Sequence, residues 1–328
     1  MDFGRKTHNI YTLGMSYTVF NALLPVVLLI GVGYMAGKLG WISRHSVKDL
    51  SNLIFMVVLP ALLFRTMSQV HPQGVDLRTL VAYFGCLWLL FGATLLTVGF
   101  TRRGAVLALA VTFSNTVMIG IALVGIAYGA AGLAVLLPIV SLHALIMLTV
   151  ATLVLEFALL REDAANAQDH PPVWHTVLQA ARNAIIHPVP LPIICGLLFA
   201  QTGLQIPEVI DRPLQLVAQS FSPLALILVG ITLANASVGG QWRDALWISL
   251  AKNLLLPVLV ACAGWLLGLR GLPLAVVIVT ASLPIGANVF LFSQRYKAAE
   301  DLITASVALS TVLALPTVAL AMWLVQYL

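Results

Sequence analysis

Residues Thr280–Tyr296 read TASLPIGANVFLFSQRY, inside an apolar segment near 273–296 that is long enough to span a bilayer. An ordinary spanning helix is featureless at its middle. This one carries Pro284, Gly286 and the amide of Asn288 there. Proline removes a backbone donor and breaks the helical ladder, and glycine loosens the turn beside it. In hydrocarbon such a break is tolerated only where protein or a wet cavity satisfies the freed groups. The stretch therefore predicts a helix broken at mid-membrane, next to a polar neighbour, and that neighbour is read as a transported solute.

Composition agrees. The chain has 328 residues, is 60% hydrophobic and only 9% charged, with a mean hydropathy of +1.01. A soluble chain carries roughly 25% charged residues, so the fold class is an all-α polytopic membrane protein. The net charge of +5 is read as short basic loops that orient the chain in the bilayer, not as a nucleic-acid surface. Cys86, Cys195 and Cys262 lie in apolar spans without ligand spacing and are read as small core residues; no cofactor or metal is expected. The tail 1–15 is polar and lacks a cleavage site after its basic start, so it is not read as a signal peptide, and Met15 is a second candidate start.

About ten apolar spans follow, near 18–38, 49–68, 77–100, 105–127, 131–159, 187–203, 213–235, 244–268, 273–296 and 300–327. A loop over 161–186 separates the first five (16–160) from the second five (187–328) and holds a short surface helix near 173–184. With the N-terminus outside, the inner loops hold Lys38, Arg44, Lys48, Arg102, Arg103, Arg161, Arg182, Arg243, Arg295 and Lys297. The outer side holds Arg5, Lys6, Arg65, Arg78, Arg212 and Arg270. The inner excess sets both termini outside.

The halves resemble each other. With a gapless shift of 168, Thr112 falls on Thr280, Ser114 on Ser282 and Tyr128 on Tyr296; earlier, Pro25 matches Pro188, Gly33 matches Gly196, and Pro60 nearly matches Pro223. Five spans per half turn the second half upside down, the inverted repeat of secondary transporters. The fourth span, with Ser114, Asn115, Thr116 and Gly120, becomes the partner of the ninth. If the two cross at their breaks, two half-helix N-termini face one pocket and favour an anion.

At these residues the chain resembles the auxin efflux carrier family, through LLPVVLLIGVGYMAGKLGWIS, VVLPALLF, SNTVMIGIAL, ITLA, AKNLLLP, SLPIGANVF and ALSTVLALP, covering nearly all of 16–328. The resemblance implies ten spans in two inverted five-helix repeats. Spans one, two, six and seven form a scaffold and the rest a mobile unit, with broken helices four and nine crossed at the substrate. It also implies a homodimer in the plasma membrane, and places Asn115 and Asn288 at the crossover. One position departs: members commonly have proline two residues after the glycine of the fourth span, where this chain has Ala122.

The expected substrate-binding set is thus Ser114, Asn115, Thr116, Gly120, Pro284, Ile285, Gly286, Ala287, Asn288 and Lys252. The amides can donate to a carboxylate or join helices. Lys252, two turns into the eighth span, is read equally as an anion partner, a substitute for a bound cation, or a side chain snorkelling to the inner surface. His143 is a candidate proton relay or a neutral imidazole bonded to a nearby carbonyl or hydroxyl. Arg65 reads as a snorkelling anchor, and Glu156 as reaching water. The motifs G-x-S-x-G, H-E-x-x-H and the P-loop are missing, so an enzyme is not expected, and no carboxylate lies at either break, where carboxylate-driven sodium/proton antiport would need one.

The leading expectation is a secondary or facilitative transporter of a small organic anion, with a malonate-like dicarboxylate as first candidate from the resemblance alone. Coupling to H+ or Na+, and uniport, are left open. The alternatives are an exporter of an indole-like or other amphipathic acid, and a membrane receptor that binds the anion without turnover.

Overall fold

The computed structural model describes residues 24–69, 76–164, 190–235 and 239–328. The N-terminal tail and the surface helix expected near 173–184 lie outside them. Among the described residues the chain forms helices and short connections, with one isolated bridge and no strand.

The helices are α1 (Leu24–Lys38), α2 (Arg44–Leu53), α3 (Leu59–Ser68), α4 (Leu77–Val98), α5 (Arg102–Thr112), α6 (Ile121–Ala164) and α7 (Pro190–Gln201). They continue as α8 (Glu208–Gln219), α9 (Phe221–Asn235), α10 (Trp242–Leu250), α11 (Leu256–Leu266), α12 (Gly271–Ser282), α13 (Ala287–Arg295) and α14 (Glu300–Val325). Starts are set by local chemistry. Ser43, Asp76 and Thr101 cap α2, α4 and α5 with their side-chain oxygens.

Three π turns, Ile54–Val58, Thr116–Gly120 and Ala251–Leu255, join consecutive helical pieces. In each, the next residue donates its N–H five residues back: Leu59 to Ile54, Ile121 to Thr116 and Leu256 to Ala251. Pro60 and Pro257 come immediately after. A proline ring clashes with the carbonyl four residues earlier, and the wider π turn makes room for it. The middle π turn forms with Ala122 at the corresponding position.

Among the described residues, six continuous stretches are long and apolar enough to cross a membrane: Ser46–Ser68, Leu77–Val98, Thr116–Leu159, Glu208–Asn235, Trp242–Leu266 and Glu300–Val325. Leu24–Lys38 and Gly271–Ser282 are shorter apolar helices. The first and sixth of the ten expected apolar segments are described only from Leu24 and Pro190 onward; the other differences have physical reasons. The fourth and ninth segments are interrupted. The fourth and fifth run together through Gly129, whose φ of +61° bends the chain sharply enough that Leu133 packs beside Gly125.

Close helix packing relies on small residues. On α1, a Cβ at Gly33 would lie 2.0 Å from the Ile227 carbonyl oxygen on α9, so the backbones nearly touch. On α7, a Cβ at Gly196 would lie 2.7 Å from the Phe64 carbonyl oxygen on α3. Two apolar clusters result. One joins α4, α5, the second part of α6, and α10–α14; the other joins α1–α3, α6 on both sides of Gly129, α9, and residues of α12 and α14 that face it, among them Val276, Val279 and Val318.

Two readings of single residues are corrected here. Cys86 is buried, but Cys195 and Cys262 face outward from the bundle. Arg65 does not snorkel: its guanidinium grips Asp211 of α8 through two hydrogen bonds, 2.7 and 2.9 Å.

Candidate functional site

The two interruptions meet. The α5 helix ends at Thr112 and α12 at Ser282, and the extended residues that follow pair as an antiparallel bridge between Ser114 and Ile285. Asn115 N–H donates to the Pro284 carbonyl at 2.8 Å, and Gly286 N–H to the Phe113 carbonyl at 2.9 Å. Part of the backbone freed by each break is thus satisfied by the other, and side chains serve more of it, as a low-dielectric interior requires. These two hydrogen bonds exchange when each position is moved to its partner. The matched residues are then Ser114 and Ile285, three positions away from the gapless sequence register that set Ser114 on Ser282. The slip is local: the bridge comes two residues after Thr112 but five after Thr280.

The first break is held by neutral groups. Asn115 is the N-cap of the π turn, its side-chain oxygen accepting from Met118 N–H at 3.3 Å. Ser114 is fully buried and accepts a long 3.4 Å hydrogen bond from the Tyr83 hydroxyl on α4. Thr116, also buried, opens the π turn. Gly120 stands apart from the interruption. It lies at the far end of the π turn, where a Cβ would stand 2.7 Å from the Leu283 Cδ1 atom; its role is close approach.

The second break is held differently. Pro284 follows the end of α12, and Gly286 is the N-cap of α13 without a side-chain cap. A Cβ on Gly286 would meet the Phe113 ring at 2.7 Å. The buried Ile285 N–H donates to Ser310 Oγ on α14 at 3.1 Å. Lys252, in the π turn between α10 and α11, is fully buried, which removes the snorkelling reading. Its Nζ donates to the carbonyls of Ala281 and Leu283, both at 2.7 Å. Ala287 and Asn288 open α13, and Asn288 is half-buried.

His143 packs at the first break, its ring 4.5 Å from Phe113 and 5.8 Å from Tyr83. Both ring nitrogens are buried without a hydrogen-bond partner among the described residues. The carbonyl or hydroxyl partner expected for it is not found there. Glu156 accepts from the Tyr296 hydroxyl at 2.8 Å, a contact with the end of α13 that the reading as a water-exposed carboxylate did not foresee.

A cavity of about 400 Å³ lies beside the paired breaks, within the range of small-molecule sites. Asn115 and Met118 line it from the first break, Phe290 from α13, Val229, Thr232, Leu233 and Asn235 from α9, Val47 from α2, and Thr304, Val307, Ala308 and Thr311 from α14. Of the expected site residues, Asn115 alone is among these. The lining carries no charge: two amides and three threonines are set in an apolar wall. Thr304 and Thr311 are seven apart, on one face of α14. That spacing, and the polar pair Thr232 and Asn235 ending an apolar run, were the sequence signals for this wall.

With this geometry in view, comparison with known proteins is informative. The sequence pattern of the family described as "Membrane transport protein" matches residues 18–322. "Auxin efflux carrier component 8" of Arabidopsis thaliana is 22% identical over 350 residues, covering 92% of this chain and 95% of that protein. The "Putative malonate transporter" of Rhizobium meliloti (strain 1021) is 26% identical over 315 residues, covering 93% and 95%. An "Uncharacterized transporter" of Methanothermobacter thermautotrophicus is 22% identical over 308 residues, covering 92% and 96%.

Proposed function

The chain belongs to the auxin efflux carrier family of membrane transport proteins, and from that premise we propose that it carries a small organic anion by alternating access around the paired breaks. The observation that carries the reading is the cavity at Asn115. It adjoins two interrupted helices whose freed backbone groups pair with one another, and it is bounded by both apolar clusters. In the proposed architecture, ten spans form two inverted five-helix repeats, spans one, two, six and seven the scaffold, and helices four and nine the crossing pair. Support comes from contacts that exchange. Gly33 packs on Ile227 as Gly196 packs on Phe64, and a shift of 163 carries one pair into the other.

The cavity reaches from Asn115 to helix ends bearing Val47, Asn235 and Thr304, and in the chain these ends adjoin stretches that carry Lys48, Arg243, Arg295 and Lys297. By the positive-inside rule that is the cytoplasmic side, so the state is inward-facing, with both termini outside the plasma membrane. A homodimer follows the family resemblance.

The lining bears on the substrate. Asn115 and the threonines offer donors for one carboxylate. A second carboxylate buried among Val229, Leu233, Met118 and Phe290 would lose its hydration without a partner. We therefore rank an amphipathic monocarboxylate, indole-like in character, above a malonate-like dicarboxylate. Counterflow in proteoliposomes with labelled indole-3-acetate and labelled malonate tests this. Faster exchange of the aromatic acid, lost in Asn115→Ala, is expected. Faster malonate exchange reverses the ranking, and saturable binding of either acid without flux makes the protein a receptor. His143 enters only as a candidate for proton coupling, and a flux indifferent to the proton gradient removes it.

A further inference from the structure

The second break places the carbonyls of Ala281 and Leu283 at the C-terminal end of α12, deep in the bundle. The last carbonyls of a helix have no partner within it, and that end carries the negative end of the helix dipole. Unwound carbonyls at half-helix C-termini are the groups that hold coupling cations in broken-helix transporters. Here both carbonyls are taken by one side chain. The Lys252 Nζ sits 2.7 Å from each, at the short end of N–H···O distances, and its stem is buried. Among the described residues its ammonium has no carboxylate within ion-pair distance, so its compensation is the helix end itself. The first break offers no equivalent. There the reaching residue is Tyr83, a neutral hydroxyl that donates to the Ser114 hydroxyl.

We propose that Lys252 is a tethered cation, occupying the position at the second break where a free coupling ion would otherwise bind, so that the carrier works without sodium. The lysine is a positioning residue. It touches the break, not the cavity, and it is tied to the end of α12 by its two hydrogen bonds. A positive charge tethered to the chain cannot leave the site on either side of the membrane as a sodium ion can, so it cannot couple a sodium gradient to substrate movement. The inference rests on the transport reading only for this last consequence; the cation site can be tested without any substrate.

The test is thermal melting of the purified full-length chain in detergent, in sodium, methylammonium or choline chloride. Wild type is expected to melt at one temperature in all three. Lys252→Ala vacates the position, and is expected to melt a few degrees higher in sodium or methylammonium than in choline, since a ligand of the folded state raises its stability. Lys252→Gln, which keeps a donor and most of the stem, is the second variant, and the cation comparison is repeated on it. Variants that gain nothing from either cation overturn the proposal, as does a wild type that sodium stabilises over choline. A buried lysine with a merely structural role would lower the melting temperature equally in all three salts. Flux of labelled indole-3-acetate and malonate in sodium and in choline is the separate arm. Sodium-dependent wild-type flux overturns the uncoupled carrier, whereas no flux at all, with the melting pattern intact, counts only against the transport reading.

Discussion

The fourth-span and ninth-span breaks do the same thing to the backbone by different means. Both stop an apolar helix, run through three or four extended residues, and restart it. The fourth-span break does so with an amide cap, a π turn and buried hydroxyls. The ninth-span break has a proline, a glycine, a serine from another helix and a buried lysine. The difference lies in what each leaves open. Asn115 caps its helix and still faces the cavity, so the first break presents chemistry to a solute. At the second, Lys252 and Ser310 satisfy the backbone from behind, so it serves as framework.

The comparison can be broken most severely at Gly286. Its φ and ψ, −72° and 144°, suit any residue, so the constraint is contact with the Phe113 ring and, at 3.2 Å, with the Ser114 carbonyl oxygen. Gly286→Val should cost about 2–3 kcal/mol and lower the melting temperature by roughly 3–5 °C. Gly120→Ala, which meets only the movable end of Leu283, should cost under about 1 kcal/mol. Equal losses from the two would mean that the second break is no more tightly packed than the first.

Ser310→Ala comes next. It strands the buried Ile285 N–H, at about 1–3 kcal/mol, whereas Tyr83→Phe gives up only a long hydroxyl contact and should stay within ~0.5 kcal/mol. Scanning fluorimetry of both variants in one detergent would separate them, and a larger loss at Tyr83 would show the neutral break to be the more dependent on outside help.

Asn115→Ala removes a helix cap, worth about 1 kcal/mol, and with it a cavity donor. Flux is expected to fall at least tenfold, a loss of about 1.4 kcal/mol in transition-state terms. Asn288→Ala, half-buried on α13 and outside the cavity wall, should reduce flux less. Full flux in the Asn115 variant would place recognition elsewhere in the cavity.

The smallest effect is expected at Ala122. A proline in a helix interior costs about 3 kcal/mol, yet the two other π turns already carry proline at this position. Ala122→Pro should therefore leave stability within ~1 kcal/mol of wild type, while Ala93→Pro in the regular helix α4 should not. A large loss at Ala122 would mean that the π turn Thr116–Gly120 is shaped by its neighbours more than by its own geometry.

These contrasts also mark what could be read in advance. Hydrocarbon forbids an unpaired backbone, so Pro284 and Gly286 in an apolar segment announced a break on their own. Ser114 and Asn115 announced the other more weakly, because small polar residues also sit comfortably inside regular helices. Ala122 was a misleading sign: the missing proline suggested an uncertain break, but pairing with Ile285 supplies what the sequence lacked. The role of Gly120 was not legible, because a glycine that permits close approach looks the same in sequence as one that permits a turn. The cavity wall on α9 and α14 was legible only as threonine spacing, since nothing local says which face of an apolar helix meets lipid and which meets a solute.

By itself the sequence determined that the chain is helical, lives in a bilayer and carries broken helices, because composition, segment length and proline act locally. Only the tertiary structure decided which backbone groups satisfy which. It set Ser114 against Ile285, three positions away from the register of the sequence repeat, and turned Lys252 from a residue with three readings into the group that closes the end of α12. Those outcomes depend on distances between segments far apart in the chain, where the low dielectric makes each unpaired group costly and leaves few arrangements that pair them all.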